Sequence, residues 1–124
     1  MPRQKRPVFL NLLQIHLPLM GWVSIVHRLT GVMLFLLLPL PLWLWQRSLS
    51  NEAEFLLIID WLQAWPLRLL LLLLLWWFLH HLFAGLRVLL LDMEIGSSLK
   101  AARNSAIVVF LLDLLLLVAG GLWL

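Results

Sequence analysis

The chain has 124 residues, 64% of them hydrophobic and only 12% charged, with a mean hydropathy of +1.03. A soluble domain of this size could not hide so much apolar surface, so lipid is its solvent, and the net charge of +3 reads as membrane topology rather than a nucleic-acid patch. It has no cysteine, which excludes disulfides, thiolate metal sites and iron–sulfur ligation by this chain.

Residues 1–19 read as a cytoplasmic lead-in lying on the membrane surface. Arg3, Lys5 and Arg6 resemble the basic start of a secretory signal, but Pro7 to Pro18 carries Asn11, Gln14 and His16 and has no apolar core. The first span is expected from about Met20 to Trp45. Its purely apolar part, Gly31 to Trp45, is too short for the ~20 residues a bilayer core requires. The helix must therefore take in the polar turn Ser24 to Thr30, and Pro39 and Pro41 should kink its far half. A mostly acidic loop follows, Arg47 to Trp65, with Glu52, Glu54 and Asp60. The second span is expected over about Pro66 to Leu91, with Pro66 suited to a first helical turn. Met93 to Ser105, with Lys100 and Arg103, reads as the next connection, and the third span runs from about Ala106 to Leu124, interrupted by Asp113.

The distribution of Lys and Arg puts the N-terminus and the second connection inside and the acidic loop outside. Trp22, Trp43, Trp45, Trp61, Trp65 and Trp123 fall near predicted helix ends, as interfacial anchors do. The fold class is all-α: one three-helix integral membrane domain without repeats or a soluble module. Three helices enclose little core, so membrane partners are expected.

Polar residues within these spans are costly, about 2.5–3.5 kcal/mol for an Arg at a helix centre on insertion scales, and mark candidate sites. At about 100° per residue, Ser24, Arg28 and Gly31 share one face of the first span with His27 beside them. A hydroxyl and a guanidinium one turn apart suit a quinone carbonyl or a carboxylate. The plainer account is that Arg28 snorkels to the headgroups and Ser24 bonds its own i−4 carbonyl. On the second span His81, Gly85, Val88 and Asp92 form one stripe, and His80 and Arg87 another roughly 100° away. A neutral imidazole over a groove floored by Gly85 suits the axial position of haem iron. Arg87, with Arg28 and His27, could neutralise haem propionates. Equally, one histidine could simply hydrogen-bond between helices. A six-coordinate haem needs a second ligand, from His27 or from a partner. Asp113 admits a proton relay or an interhelical hydrogen bond.

Three segments carry a resemblance: Arg6-Pro7-Val8-Phe9-Leu10-Asn11-Leu12, then Ser24-Ile25-Val26-His27-Arg28-Leu29-Thr30-Gly31, then His81-x3-Gly85-x-Arg87-x4-Asp92. Together they resemble the cytochrome b556 membrane-anchor subunits of succinate dehydrogenase, respiratory complex II, over nearly the whole chain. The resemblance implies a place in a heterodimeric transmembrane helix bundle in a bacterial inner membrane. The partners it implies are a second anchor subunit, an iron–sulfur subunit and a flavoprotein subunit. It implies that Ser24 and Arg28 line a site for ubiquinone or another quinone, reduced by electrons arriving from the iron–sulfur subunit. It also implies that His81, rather than His80, is one axial ligand of haem b, the other coming from the second anchor subunit, and that His27 and Arg28 lie near the propionates. The chain departs at Val88, where members commonly carry a histidine, so the polar contact usually offered there is missing. Two rival readings are a haem-free assembly scaffold of the same complex and a small transporter subunit using Arg28, Arg87 and Asp113. The inverted repeats usual in transporters are not visible here.

Overall fold

The computed structural model describes residues 16–123, so the lead-in over 1–15, including the Arg6 to Leu12 segment, and Leu124 lie outside the described residues. Five helices follow one another: α1 (Leu19–Leu37), α2 (Pro39–Ser48), α3 (Glu52–Gln63), α4 (Trp65–Asp92) and α5 (Leu99–Trp123). The described residues are otherwise turns and connections, and the fold class is all-α as expected.

Three stretches are long and apolar enough to cross a membrane: Leu19–Ser48, Trp65–Asp92 and Leu99–Trp123. The first is α1 and α2 joined through Leu38, which keeps right-handed helical dihedrals. The junction falls directly before Pro39, whose missing N–H interrupts the ladder there. Thirty residues reach ~45 Å, more than the ~30 Å hydrocarbon core, so one end of this stretch must emerge. The exposed Trp43 and Trp45 suit the headgroup layer at the α2 end, where the Arg47 guanidinium lies 5.2 Å from the Trp43 ring centroid.

Two boundaries differ from the sequence reading. The acidic connection is mostly the helix α3. Asn51 caps it, its side-chain oxygen accepting from the Glu54 N–H at 2.9 Å, and Glu52 and Glu54 place negative charge in the first turn. Arg47 pairs with Glu54 at 2.5 Å and ties α2 to α3. The third span begins at Leu99, because Ser98 caps it through the Ala101 N–H. Lys100 and Arg103 therefore belong to the first turns of α5 rather than to a loop.

Between α4 and α5 the chain turns through a Schellman motif. The Ile95 N–H donates to the Leu90 carbonyl and the Glu94 N–H to that of Leu91, both at 2.9 Å, with Glu94 at φ 62°.

α4 is the central element, packed along both α1 and α5, while α1 also touches α5 and α3 lies against α2 and α4. The core is small: Val23, Ala84, Ala106 and Val109, flanked by Leu19, Met20, Phe83 and Phe110. Two of its four buried residues are alanine, which lets helix backbones approach where lipid supplies no hydrophobic drive between them. The buried polar residues Thr30, His80, Arg87 and Asp113 mark the faces that meet.

Candidate functional site

The α1–α4 crossing is built from the same short pattern on both helices, His-x3-Gly: His27 and Gly31 on α1, His81 and Gly85 on α4. The helices run antiparallel there, so each histidine lies on the other helix's glycine. A Cβ at Gly31 would stand 2.8 Å from His81 Cε1, and one at Gly85 would stand 3.2 Å from His27 Nε2. At Gly31 a methyl group would force the ring to move, and at Gly85 it would require the His27 ring to give by a few tenths of an ångström. The rings themselves stack, with centroids 4.4 Å apart and planes 21° from parallel.

His81 Nδ1 lies 3.1 Å from the His27 backbone carbonyl. A carbonyl only accepts, so Nδ1 carries a proton, and in the neutral imidazole Nε2 is left with its lone pair. That is the state an imidazole needs to ligate a metal, held by the kind of carbonyl contact that orients such ligands. Stacking on His27 covers a ring face, whereas the Nε2 lone pair lies in the ring plane. The ring is half-buried.

His80 faces the other way. It is fully buried, and its Nδ1 lies 2.6 Å from Asp113 Oδ2 on α5, with Asp113 only 2% exposed. Trp76 and Phe110 wall it in at ring-centroid distances of 5.9 and 5.7 Å. The two histidines thus meet different helices, as their helical phase predicts, and Asp113 is the interhelical partner of His80.

Arg87 also belongs to the α5 side. Its Nε donates to Ser105 Oγ at 3.0 Å and its Nη2 to the Ala102 carbonyl at 3.1 Å, and the residue is 8% exposed. The sequence suggests Arg87, with Arg28 and His27, as a partner for haem propionates. The structure brings His27 to His81 and leaves Arg87 on a separate helix interface, because Arg87 lies about 120° around α4 from His81.

On α1, Ser24 is half-buried and Arg28 exposed. Neither makes a side-chain hydrogen bond among the described residues. The i−4 back-bond considered for Ser24 is absent there, whereas Thr30 makes just such bonds, to the carbonyls of Val26 and His27 at 2.9 Å each. Among the described residues, Ser24 and Arg28 therefore have no partner for their donors, which lie one turn apart on one helix. Among the described residues, no three His, Asp or Glu side chains converge on a metal position.

A family model described as succinate dehydrogenase/fumarate reductase transmembrane subunit matches residues 2–120. The chain belongs to this family. It is also similar to the succinate dehydrogenase cytochrome b556 subunit of Coxiella burnetii (strain RSA 493 / Nine Mile phase I), 36% identical over 121 residues that cover 96% of each chain. The family expected from the sequence motifs is the one found, and a multi-pass membrane subunit of this family agrees with three spanning helices.

In the sequence Gly31 and Gly85 stand out separately. The interlocking of the two His-x3-Gly elements is signalled only by their equal spacing on antiparallel neighbours. The partner of Asp113 has no such signal, because no periodicity within one helix says which residue on another will face it.

Proposed function

We propose that this chain is the membrane-anchor subunit of a succinate:quinone oxidoreductase, whose His81 would hold the iron of haem b and which forms part of the quinone site. The observation that carries the haem assignment is the His81 Nδ1 contact with the His27 carbonyl, which leaves Nε2 as a free donor of electrons to iron. His80 has the same pattern, Nδ1 on Asp113 and Nε2 without a partner among the described residues. Its ring, however, is fully buried between α4 and α5, where a group as large as haem has no room to reach it. Haem b, when bound, supplies a one-electron carrier within the membrane. His81 would hold its iron from one side, a second anchor subunit would supply the other ligand, and His27 and Arg28 would stand toward its propionates.

Ser24 and Arg28 act on the quinone. The Arg28 guanidinium and the Ser24 hydroxyl, without partners among the described residues, donate to a quinone carbonyl, orient the ring and stabilise the negative charge that grows on that oxygen during reduction. Both lie near the start of α1, roughly 7 and 14 Å along the helix, whereas His81 is ~16 Å from the end of α4. With the N-terminus cytoplasmic, the donor pair sits on the side where an iron–sulfur subunit would dock and where water can supply protons. The flavoprotein, in this assignment, oxidises succinate and passes its electrons through that iron–sulfur subunit.

The test is quinone turnover by the assembled complex. Arg28→Leu should abolish quinone reduction while an artificial dye still accepts electrons from the peripheral subunits. Normal quinone turnover in that variant would remove Arg28 from the site.

A further inference from the structure

On the side of α4 away from His81 lies a cleft of about 360 Å³ between α4 and α5. Leu90, on its wall, follows His81 by nine residues, which is about half a turn around the helix. The walls are almost wholly apolar, among them Phe83, Leu86, Leu90, Val108 and Leu112, and the polar groups are Arg87 and Ser105. Leu86, Leu90 and Val108 are exposed, so the cleft opens sideways from the bundle.

Arg87 is the anomaly there. It is a buried cation whose two hydrogen bonds go to neutral acceptors, Ser105 and the Ala102 carbonyl. Among the described residues, the ion pairs are Arg47 with Glu54 and His80 with Asp113, so no carboxylate neutralises Arg87. Its Nη1 has no protein partner in that set, yet is not sealed from the surface. A charge in an apolar site is retained when an anion completes it. The depth identifies the kind of anion. Arg87 is five residues from the end of α4 and Ser105 six from the start of α5, roughly 8–9 Å from the helix ends, within reach of the headgroup layer for an arginine.

We propose that an anionic phospholipid occupies this cleft, its phosphate on Arg87 and an acyl chain along Phe83, Leu86, Leu90 and Val108. The charge calls for the phosphate, and the apolar walls open to the membrane call for the chain. The inference needs only that the chain spans a bilayer, and it is independent of the quinone and haem assignments.

The experiment is lipid extraction and mass spectrometry on the whole complex purified in mild detergent, comparing wild type, Arg87→Gln and Val108→Trp. Arg87→Gln removes the charge, and Val108→Trp fills the cleft mouth while leaving Arg87 in place. The expected result is a tightly retained anionic phospholipid in wild type that is lost in both variants, with the haem spectrum of Val108→Trp unchanged. If Arg87→Gln does not assemble, Val108→Trp decides alone. Equal retention in wild type and Val108→Trp would overturn the proposal. So would capture of a partner subunit, rather than lipid, by a photoreactive residue placed at position 108. Loss of the haem band in an assembled Arg87→Gln complex, with lipid unchanged, would assign Arg87 to a propionate instead.

Discussion

His81 rests on Gly31 so closely that a methyl group at position 31 would fall 2.8 Å from the imidazole Cε1. The glycine on α1 thereby sets where the ring of α4 can stand, and the neighbouring His27 carbonyl sets which nitrogen carries the proton. The position of the ring and its tautomer both come from one helix crossing.

Gly31→Ala should therefore disturb the site more than Gly85→Ala, whose added methyl meets only His27 Nε2 at 3.2 Å. Overpacking of this kind costs about 1–3 kcal/mol. Thermal denaturation of the complex, read beside its redox difference spectrum, should show Gly31→Ala both less stable and altered in its haem band. Unchanged melting and an unchanged band would mean that α1 does not position His81.

The His80–Asp113 pair predicts a double-variant effect. Removing one partner leaves the other polar group buried and unpaired, at a cost of about 3–5 kcal/mol if that group stays charged. His80→Leu and Asp113→Leu should each lower the melting temperature sharply, whereas the double variant should recover most of the loss and retain the haem band. Additive losses in the double variant would show that the two residues do not act as a pair.

Ser24→Ala should weaken quinone use less than Arg28→Leu. A neutral hydrogen bond contributes about 0.5–1.5 kcal/mol and a charged one about 1.5–3 kcal/mol. On the conversion of 1.4 kcal/mol per tenfold, Ser24→Ala should lower kcat/KM for quinone by roughly tenfold or less. Dye reduction should stay normal in both variants. A larger defect for Ser24→Ala than for Arg28→Leu would reverse their roles.

Glu94 occupies the left-handed position of the turn after α4, at φ 62°. Glycine takes that conformation without the side-chain penalty, so Glu94→Gly should stabilise the chain by about 1 kcal/mol. A rise in the melting temperature, with quinone turnover unchanged, is the expected reading. A fall would mean that the Glu94 side chain contributes more than its backbone strain costs.

Much of this arrangement is legible in the chain itself, for a specific reason. α4 is apolar on nearly every side, so its hydrophobic residues cannot mark its faces and its few polar ones do. His81 and Gly85 fall on one face and His80 and Arg87 on another, and the structure gives the first face to α1 and the second to α5. Helical phase does not reveal which neighbour each face meets. The contacts of Arg87 with Ser105 and of Asp113 with His80 are therefore not legible without the position of α5. The helix α3 was obscured for a different reason. Its carboxylates suggest a loop, although Asn51 followed three residues later by Glu54 is a helix-start pattern. Likewise Lys100 and Arg103 suggested a connection, when Ser98 had already begun α5.

The central claim is that His81 Nε2 ligates haem iron. The most direct measurement is the reduced-minus-oxidised spectrum of the purified complex carrying His81→Leu. The account predicts that the low-spin haem b signal is lost or converted in this variant, and that it persists in His80→Leu/Asp113→Leu. An intact low-spin signal in assembled His81→Leu complex would contradict it.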